Sequence, residues 1–271
     1  MIPTVGAARI PIIGLGTWEL RGTTCTRMVA EALRLGYRHI DTAEMYENEA
    51  EVGEGLRASG IEHSEVFITT KVWPSHFAAR ALERAARESV ARLRVPSVDL
   101  LLLHWPNPEI PLHETIGALC RVKRSGLARH IGVSNFTVAL LDEAVGLSDE
   151  PLVCNQIEVH PFLDQTKVMT AARGHDMAIV AYSPIARGGA PDNAVLARIG
   201  KAHGKTAAQV SLRFLVQQGI AVIPRTTQVE RLKENLAIFD FELAAAEMAE
   251  IAALATRKGR IVDFAFSPQW D

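Results

Sequence analysis

Eight short apolar runs, rich in β-branched residues and each followed by a stretch with helical periodicity, constrain the fold more than any other feature of the chain. They cover residues 12–15, 38–41, 66–72, 98–105, 130–134, 153–159, 179–182 and 221–224. Their starts lie 23 to 42 residues apart, close to the roughly 30 residues of one βα unit. The run Val98-Asp99-Leu100-Leu101-Leu102-Leu103 is nearly continuous rather than alternating, as expected of a parallel strand covered on both faces. Between the runs, 78–93 reads as an amphipathic helix that ends before Arg94-Val95-Pro96, and 206–217 as one that ends at Gly219. Eight repeats favour a closed barrel, because closure removes both edges of the sheet. The expectation is therefore an α/β chain folded as a (β/α)8 TIM barrel, one domain over residues 1–271, with a small β-hairpin in residues 2–11 before the first strand.

Composition narrows what such a barrel can bind. With 29 Lys and Arg against 31 Asp and Glu and no basic run, the chain lacks the concentrated positive field used for nucleic acid or anionic membranes. Phosphate contacts, if present, are local. No 18-residue apolar stretch or leader pattern occurs, and Cys25, Cys120 and Cys154 lie far apart without a CxxC pair, which points to a reducing compartment. A cytoplasmic protein is expected.

In a barrel the active site forms at the C-terminal ends of the strands, so the first polar residues after each run are the informative ones. Four stand out: Asp41, Tyr46, Lys71 and His104. Singly, each has an ordinary structural reading as a turn cap, packing aromatic, extended lysine or core histidine. Together they converge over one mouth of the barrel and suggest a mechanism. An ammonium beside a phenol lowers its pKa from about 10, a carboxylate fixes the ammonium, and an imidazole orients a carbonyl beside the hydroxyl. Such a site can protonate a developing alkoxide without a metal. No HxH or HExxH pattern supports metal ligation, whereas a Schiff-base role for Lys71, as in barrel aldolases, stays open. A Rossmann dinucleotide site is disfavoured, since Gly14-Leu15-Gly16-Thr17-Trp18-Glu19 carries only two glycines of the fingerprint.

These residues sit in stretches that resemble the signature motifs of the aldo-keto reductases: Gly14-Leu15-Gly16-Thr17-Trp18, Asp41-Thr42-Ala43-Glu44-Met45-Tyr46-Glu47-Asn48-Glu49, Thr70-Lys71-Val72-Trp73, His104-Trp105-Pro106 and Gly132-Val133-Ser134-Asn135-Phe136. Within the family the compact length and the ending Ser267-Pro268-Gln269-Trp270-Asp271 are most similar to bacterial 2,5-diketo-D-gluconate reductases, a group that also reduces methylglyoxal. The resemblance implies a barrel that binds NADPH in an extended conformation and reduces aldehydes and ketones, small 2-oxo aldehydes or keto-sugar acids among them. In it Tyr46 is the general acid, Lys71 and Asp41 tune it, and His104 orients the carbonyl. Ser134, Asn135 and Gln156 match the residues that hold the nicotinamide carboxamide, and Tyr182 the aromatic under the ring. Ser183, Pro184, Ala186 and Gly188 fall in the segment that folds over the pyrophosphate, while Thr17 and Trp18 lie at the ring's edge.

The adenosine end is assigned, again by resemblance, to Arg225, Thr226, Thr227, Arg231, Glu234 and Asn235. Arg225 replaces a frequent lysine. An arginine fork and a hydroxyl ahead of a helix suit a 2′-phosphate, so NADPH is favoured, with weaker use of NADH left open. For the substrate, Trp18, Trp73, Trp105 and Trp270 are expected to wall an apolar pocket with Tyr46 and His104, at least three of them at the mouth. Family resemblance implies a monomer. A different class of function also remains: a nicotinamide-sensing binding protein like the reductase-fold subunits of potassium channels.

Overall fold

A computed structural model describes residues 2–271. The hairpin pairs β1 (Thr4–Val5) with β2 (Ile10–Pro11) in antiparallel fashion. All eight expected runs then supply parallel strands: β3 (Leu15–Gly16), β4 (His39–Asp41), β5 (Phe67–Val72), β6 (Val98–Leu103), β7 (Ala128–Ser134), β8 (Leu152–Glu158), β9 (Ala178–Tyr182) and β10 (Ala221–Val222). Each pairs with its neighbour in the chain from β3 to β10. The ring closes through a parallel bridge between Ile13 and Val222, supported by bonds from Val222 N to Ile12 O (2.8 Å), Gly14 N to Val222 O (2.9 Å) and Gly16 N to Pro224 O (3.1 Å). Gly16 permits this seam, because a Cβ there would sit 2.6 Å from the Ile223 carbonyl oxygen. The architecture is thus the expected TIM barrel with its N-terminal hairpin.

The helices between and after these strands are α1 (Gly22–Arg34), α2 (Glu49–Ser59), α3 (Ala79–Leu93), α4 (Leu112–Arg124), α5 (Val138–Leu147), α6 (Thr166–Gly174), α7 (Ala194–His203), α8 (Ala207–Val216), α9 (Val229–Leu236) and α10 (Ala245–Ala252). Their limits follow local chemistry. In α3, Leu82, Ala85, Ala86, Ser89 and Leu93 recur at helical spacing on the buried face, and Arg94 takes a left-handed conformation just past the end. At the start of α8 the Thr206 hydroxyl accepts from Gln209 N (3.3 Å) while the Gln209 side chain accepts from Thr206 N (2.9 Å), a reciprocal cap.

The barrel interior is mainly aliphatic. Leu100, Leu101, Leu102 and Leu103 of β6 are all buried, as a strand covered on both faces requires. Asp99 is tolerated in that run because its carboxylate accepts from Ile68 N (2.9 Å) and pairs with Arg129 (2.9 Å). All three cysteines are free and buried. No helix is long and apolar enough to cross a membrane, and among the described residues no group of three His, Cys, Asp or Glu side chains is placed to hold a metal. Beyond α10 the chain has only one short 3-10 turn, Arg257–Gly259. That tail returns to the mouth, where Val262 and Phe264 line the main cavity.

Candidate active site

The four expected chemical residues meet at the C-terminal ends of neighbouring strands. Asp41 closes β4, Lys71 lies one position before the end of β5, His104 follows β6, and Tyr46 ends a 3-10 turn over Glu44–Tyr46. Lys71 is wholly buried, and its Nζ donates to Asp41 Oδ1 (2.5 Å) and to the Thr42 carbonyl (2.8 Å). The other Asp41 oxygen accepts from Gln156 Nε2 at 2.7 Å. Above this pair the ammonium sits 5.1 Å from the centre of the Tyr46 ring. The Tyr46 and His104 rings meet edge to face with centroids 5.7 Å apart.

Burial and charge set the protonation states. Burial alone would lower the pKa of Lys71, but the Asp41 carboxylate and then Tyr46 reverse this and raise it. Burial drives His104 well below its usual value, with the Lys71 charge adding to the effect. Tyr46 corrects an expectation. Lys71 does pull its pKa down, but burial pushes it up more strongly, so the phenol ends above its usual value. The site therefore holds an ammonium, a protonated phenol and a neutral imidazole at neutral pH. A Schiff-base lysine needs an available free amine, and the pairing and raised pKa of Lys71 work against that alternative.

The site opens on a cavity of about 480 Å³. Its lining includes Asp41, Tyr46, His104, Ser134, Asn135, Gln156 and Tyr182, together with Thr17, Trp18, Ser183, Pro184, Gly188, Arg225 and Arg231. Ser134 and Asn135 are buried and tightly placed: the Ser134 hydroxyl donates to the Gln156 carbonyl (2.8 Å) and Asn135 Nδ2 to the His104 carbonyl (2.9 Å). The Tyr182 hydroxyl donates to Asn135 Oδ1 (2.8 Å), which ties this lining aromatic to the amide beside it. Asn135, Ser183, Ala186 and Arg187 all have positive φ, the strained backbone that gathers at functional loops. Arg187, also in the lining, lies 4.7 Å over the Trp18 ring.

Other expected residues stand apart from the lining. Thr226 is buried and its hydroxyl accepts from Gln228 N (3.0 Å). The Glu234 carboxylate accepts from the Thr206 hydroxyl (2.5 Å); Thr227, Asn235 and Ala186 also lie outside the lining. Of the four tryptophans, Trp18 and Trp105 line the cavity. Trp73 stands beside it, edge-on to His104 at 5.3 Å, and Trp270 packs on Trp105 at 6.0 Å. Among the lining residues given no role from the sequence are Met45, Val262 and Phe264. Phe266 joins them by packing on both Trp73 and Trp105. Val262, Phe264 and Phe266 belong to an irregular tail with no periodicity to reveal their direction, although the spacing Phe264-Ala265-Phe266 beside Trp270 was an available hint.

The residues present suit a nicotinamide dinucleotide. The lining combines the amides of Asn135 and Gln156 and the Tyr182 ring with Arg225 and Arg231, a set matched to a carboxamide-bearing ring and to phosphate respectively. Fold and site together are those of a barrel oxidoreductase. The sequence profile of the Aldo/keto reductase family matches residues 12–256, and the chain belongs to that family. It is 40% identical over 265 residues to the methylglyoxal reductase DkgB of Escherichia coli O157:H7, covering 97% of this chain and 99% of that one. A solved structure provisionally named 2,5-diketo-D-gluconic acid reductase B matches with a TM-score of 0.98 and 48% identity, over 100% of this chain and 98% of that one. The Bombyx mori aldo-keto reductase, solved in complex with NADP, matches with a TM-score of 0.89 and 32% identity, over 98% and 97% of the two chains.

Proposed function

We propose that residues 1–271 act as one barrel domain that reduces aldehydes and ketones with NADPH, working as a monomer in the cytoplasm. The observation that carries this reading is the buried Asp41–Lys71 pair beside a protonated Tyr46 and a neutral His104, with Asp41, Tyr46 and His104 lining one cavity and Lys71 held on Asp41 outside the lining. When bound, the cofactor supplies a hydride from its nicotinamide C4 to the carbonyl carbon. Tyr46 gives its proton to the carbonyl oxygen, and the Lys71 ammonium stabilises the phenolate that remains. Asp41 holds that ammonium in place and balances its charge. His104 orients the carbonyl oxygen. Its Nδ1 is buried without a partner, so the tautomer with the proton on Nε2 leaves only a lone pair unmatched and gives the site a neutral donor.

Ser134, Asn135 and Gln156 hold the carboxamide, and Tyr182 packs against the ring. Arg225 and Arg231 meet the 2′-phosphate and favour NADPH, with NADH used more weakly. Trp18 and Trp105, with Trp73 and Trp270 behind them, give the substrate an apolar wall. Small 2-oxo aldehydes and keto-sugar acids are the proposed substrates, in keeping with the names of the relatives above. Those reductase names lend no support to the nicotinamide-sensing alternative. The test is a panel of methylglyoxal, 2,5-diketo-D-gluconate and an aromatic aldehyde, each with NADPH and with NADH, followed by loss of reduced-nicotinamide absorbance. Turnover with NADPH on any of the three is the expected result, and its absence across the panel sinks the proposal.

A further inference from the structure

Asp41, Lys71, Tyr46 and His104 leave the buried carboxylate of Glu158 unused. Glu158 is the last residue of β8, two positions beyond Gln156, and is wholly buried. Alternation along a strand puts positions two apart on the same face, so one face of β8 sends Gln156 to Asp41 and Glu158 to the level above. A buried carboxylate needs donors, or its burial is prohibitive. Glu158 has three. Oε1 accepts from Ile261 N (2.7 Å) and from His160 Nε2 (2.9 Å), and Oε2 accepts from Val262 N (2.9 Å).

Two of those donors belong to the irregular tail. A second fastening ties its root to the loop after β8: Leu163 bridges Thr256, Thr256 N donates to the Phe162 carbonyl (3.0 Å), and Gly259 approaches that carbonyl so closely that no Cβ would fit. Between this root and the chain end, Glu158 grips Ile261 and Val262, where the tail reaches the cavity. Val262 and Phe264 then form part of the cavity wall, and Phe266 packs on Trp73 and Trp105 beside His104. Phe264 and Phe266 are each about half exposed, so burial of their own surface holds them only weakly.

We infer that Glu158 is a positioning residue for substrate selection: its carboxylate latches the tail so that Val262, Phe264 and Phe266 form a fixed wall at the carbonyl end of the cavity. Its kinetic consequence rests on the reductase reading, whereas the latch itself does not. Hydrogen bonds to a charged acceptor are stronger than neutral ones. Other anchors hold the tail at Arg260, which donates to Gln165, and at the chain end, where the Asp271 carboxylate accepts from Val138 N. Residues 261–266 between them have neither helix nor strand, the kind of segment that opens locally. Loss of the carboxylate therefore releases the wall before it affects the barrel. Bulky substrates that need the wall lose affinity, while the proton donor below keeps its place.

Two variants test this. Glu158→Gln keeps the shape but places an amide where two backbone N–H groups need acceptors. Ile261→Pro removes one donor from the tail side without touching the barrel; Arg260, at φ −62° and ψ 132°, already has the conformation required before proline. Hydrogen exchange read by mass spectrometry is expected to show the amides of residues 262–266 exchanging about tenfold faster or more in both variants, with β5 to β8 unchanged. With an aromatic aldehyde, KM is expected to rise about tenfold while kcat stays within about twofold. A merely structural glutamate would instead lower kcat and speed exchange across the strands. Unchanged exchange at 262–266 in either folded variant overturns the latch, and so does a loss confined to kcat. Should Glu158→Gln fail to fold, Ile261→Pro decides alone. A protein without reductase activity would overturn the proposed function, and the exchange experiment would still decide the latch.

Discussion

The floor and the roof of the cavity are built on opposite principles. Asp41, Lys71 and His104 lie on strands or one residue beyond them and are at most 6% exposed. Each is held by the barrel's own hydrogen-bond ladder. Phe264 and Phe266, on the roof, are each 48% exposed and ride on a tail with neither helix nor strand. The floor carries the charged pair on its strands, and Tyr46 on the short turn that follows β4. The roof needs only to present apolar surface at roughly the right height. On the proposed function, chemistry falls to the strand-held layer and selection to the layer held by a few anchors, a division well suited to strand-end sites in barrels.

The largest effect that could break this contrast comes from the floor. Tyr46→Phe removes the proton donor and leaves the ring that packs against His104 at 5.7 Å. The kcat for any accepted carbonyl is expected to fall about a thousandfold. NADPH affinity, followed by quenching of tryptophan fluorescence, should stay within about twofold, since the phenolic hydroxyl is the only group lost. A variant that keeps more than a few per cent of its turnover would mean that the acid lies elsewhere.

A second floor effect appears in stability. His39, buried under Asp41, has its pKa lowered to about 4, mainly by burial, with Lys71 adding to it against Asp41 and the Pro11 backbone. His104 shifts in the same direction. Below about pH 6.5 the unfolded chain binds protons on these rings that the folded chain refuses, so stability present at neutral pH is lost as pH falls toward 4. For His39 alone the loss over the whole window is about 3 kcal/mol. Urea unfolding midpoints should drop markedly between about pH 7 and pH 5, and less steeply in His39→Gln, which cannot take up the proton. Equal slopes in both proteins would remove His39 as the cause.

The same division explains what the sequence revealed. The floor was legible because each of its residues follows an apolar run, and a run's end is a fixed place in a barrel. Even there the boundaries shifted: residues 12–15 and 221–224 read as full strands, yet regular pairing covers only Leu15–Gly16 and Ala221–Val222, because the seam closes through one bridge at Ile13 and Val222. The sign of the Tyr46 shift was not legible, since it depends on how deeply the ring is buried as well as on its neighbour. Phe264 and Phe266 were missed because their direction is set by contacts far away in sequence, notably the grip of Glu158 on residues more than a hundred positions later. Tyr37, the one tyrosine away from the site, is core, its hydroxyl bonded to the Leu232 carbonyl (3.0 Å).

The arginines of the cavity lining lie between these extremes. Arg225 is partly exposed, donates to the Trp18 carbonyl (3.2 Å) and approaches Glu19 only to 3.9 Å, so its charge is not consumed within the protein. Arg225→Ala is expected to weaken NADPH binding about tenfold and NADH binding less than about twofold, as measured by titration. Equal losses for both cofactors would show that Arg225 supports the loop around Trp18 rather than recognising phosphate.

The smallest effect is expected at the roof, and it separates wall from machinery. Phe264 packs on Trp105 at 5.6 Å and stacks on Phe266 at 5.2 Å, yet half of it faces solvent. Phe264→Ala therefore removes contact surface without opening a core cavity, and the protein should keep its unfolding midpoint. An aromatic aldehyde that uses the ring loses only part of one buried side chain's worth of apolar contact, so its KM is expected to rise about threefold to tenfold. Methylglyoxal, too small to span from His104 to the tail, should be affected less than about twofold. The kcat for both should hold, because the tail touches neither the Lys71–Asp41 pair nor the Tyr46 hydroxyl. A fall in kcat with unchanged KM would place Phe264 in the alignment of the reacting carbonyl and erase the distinction between floor and roof at that point.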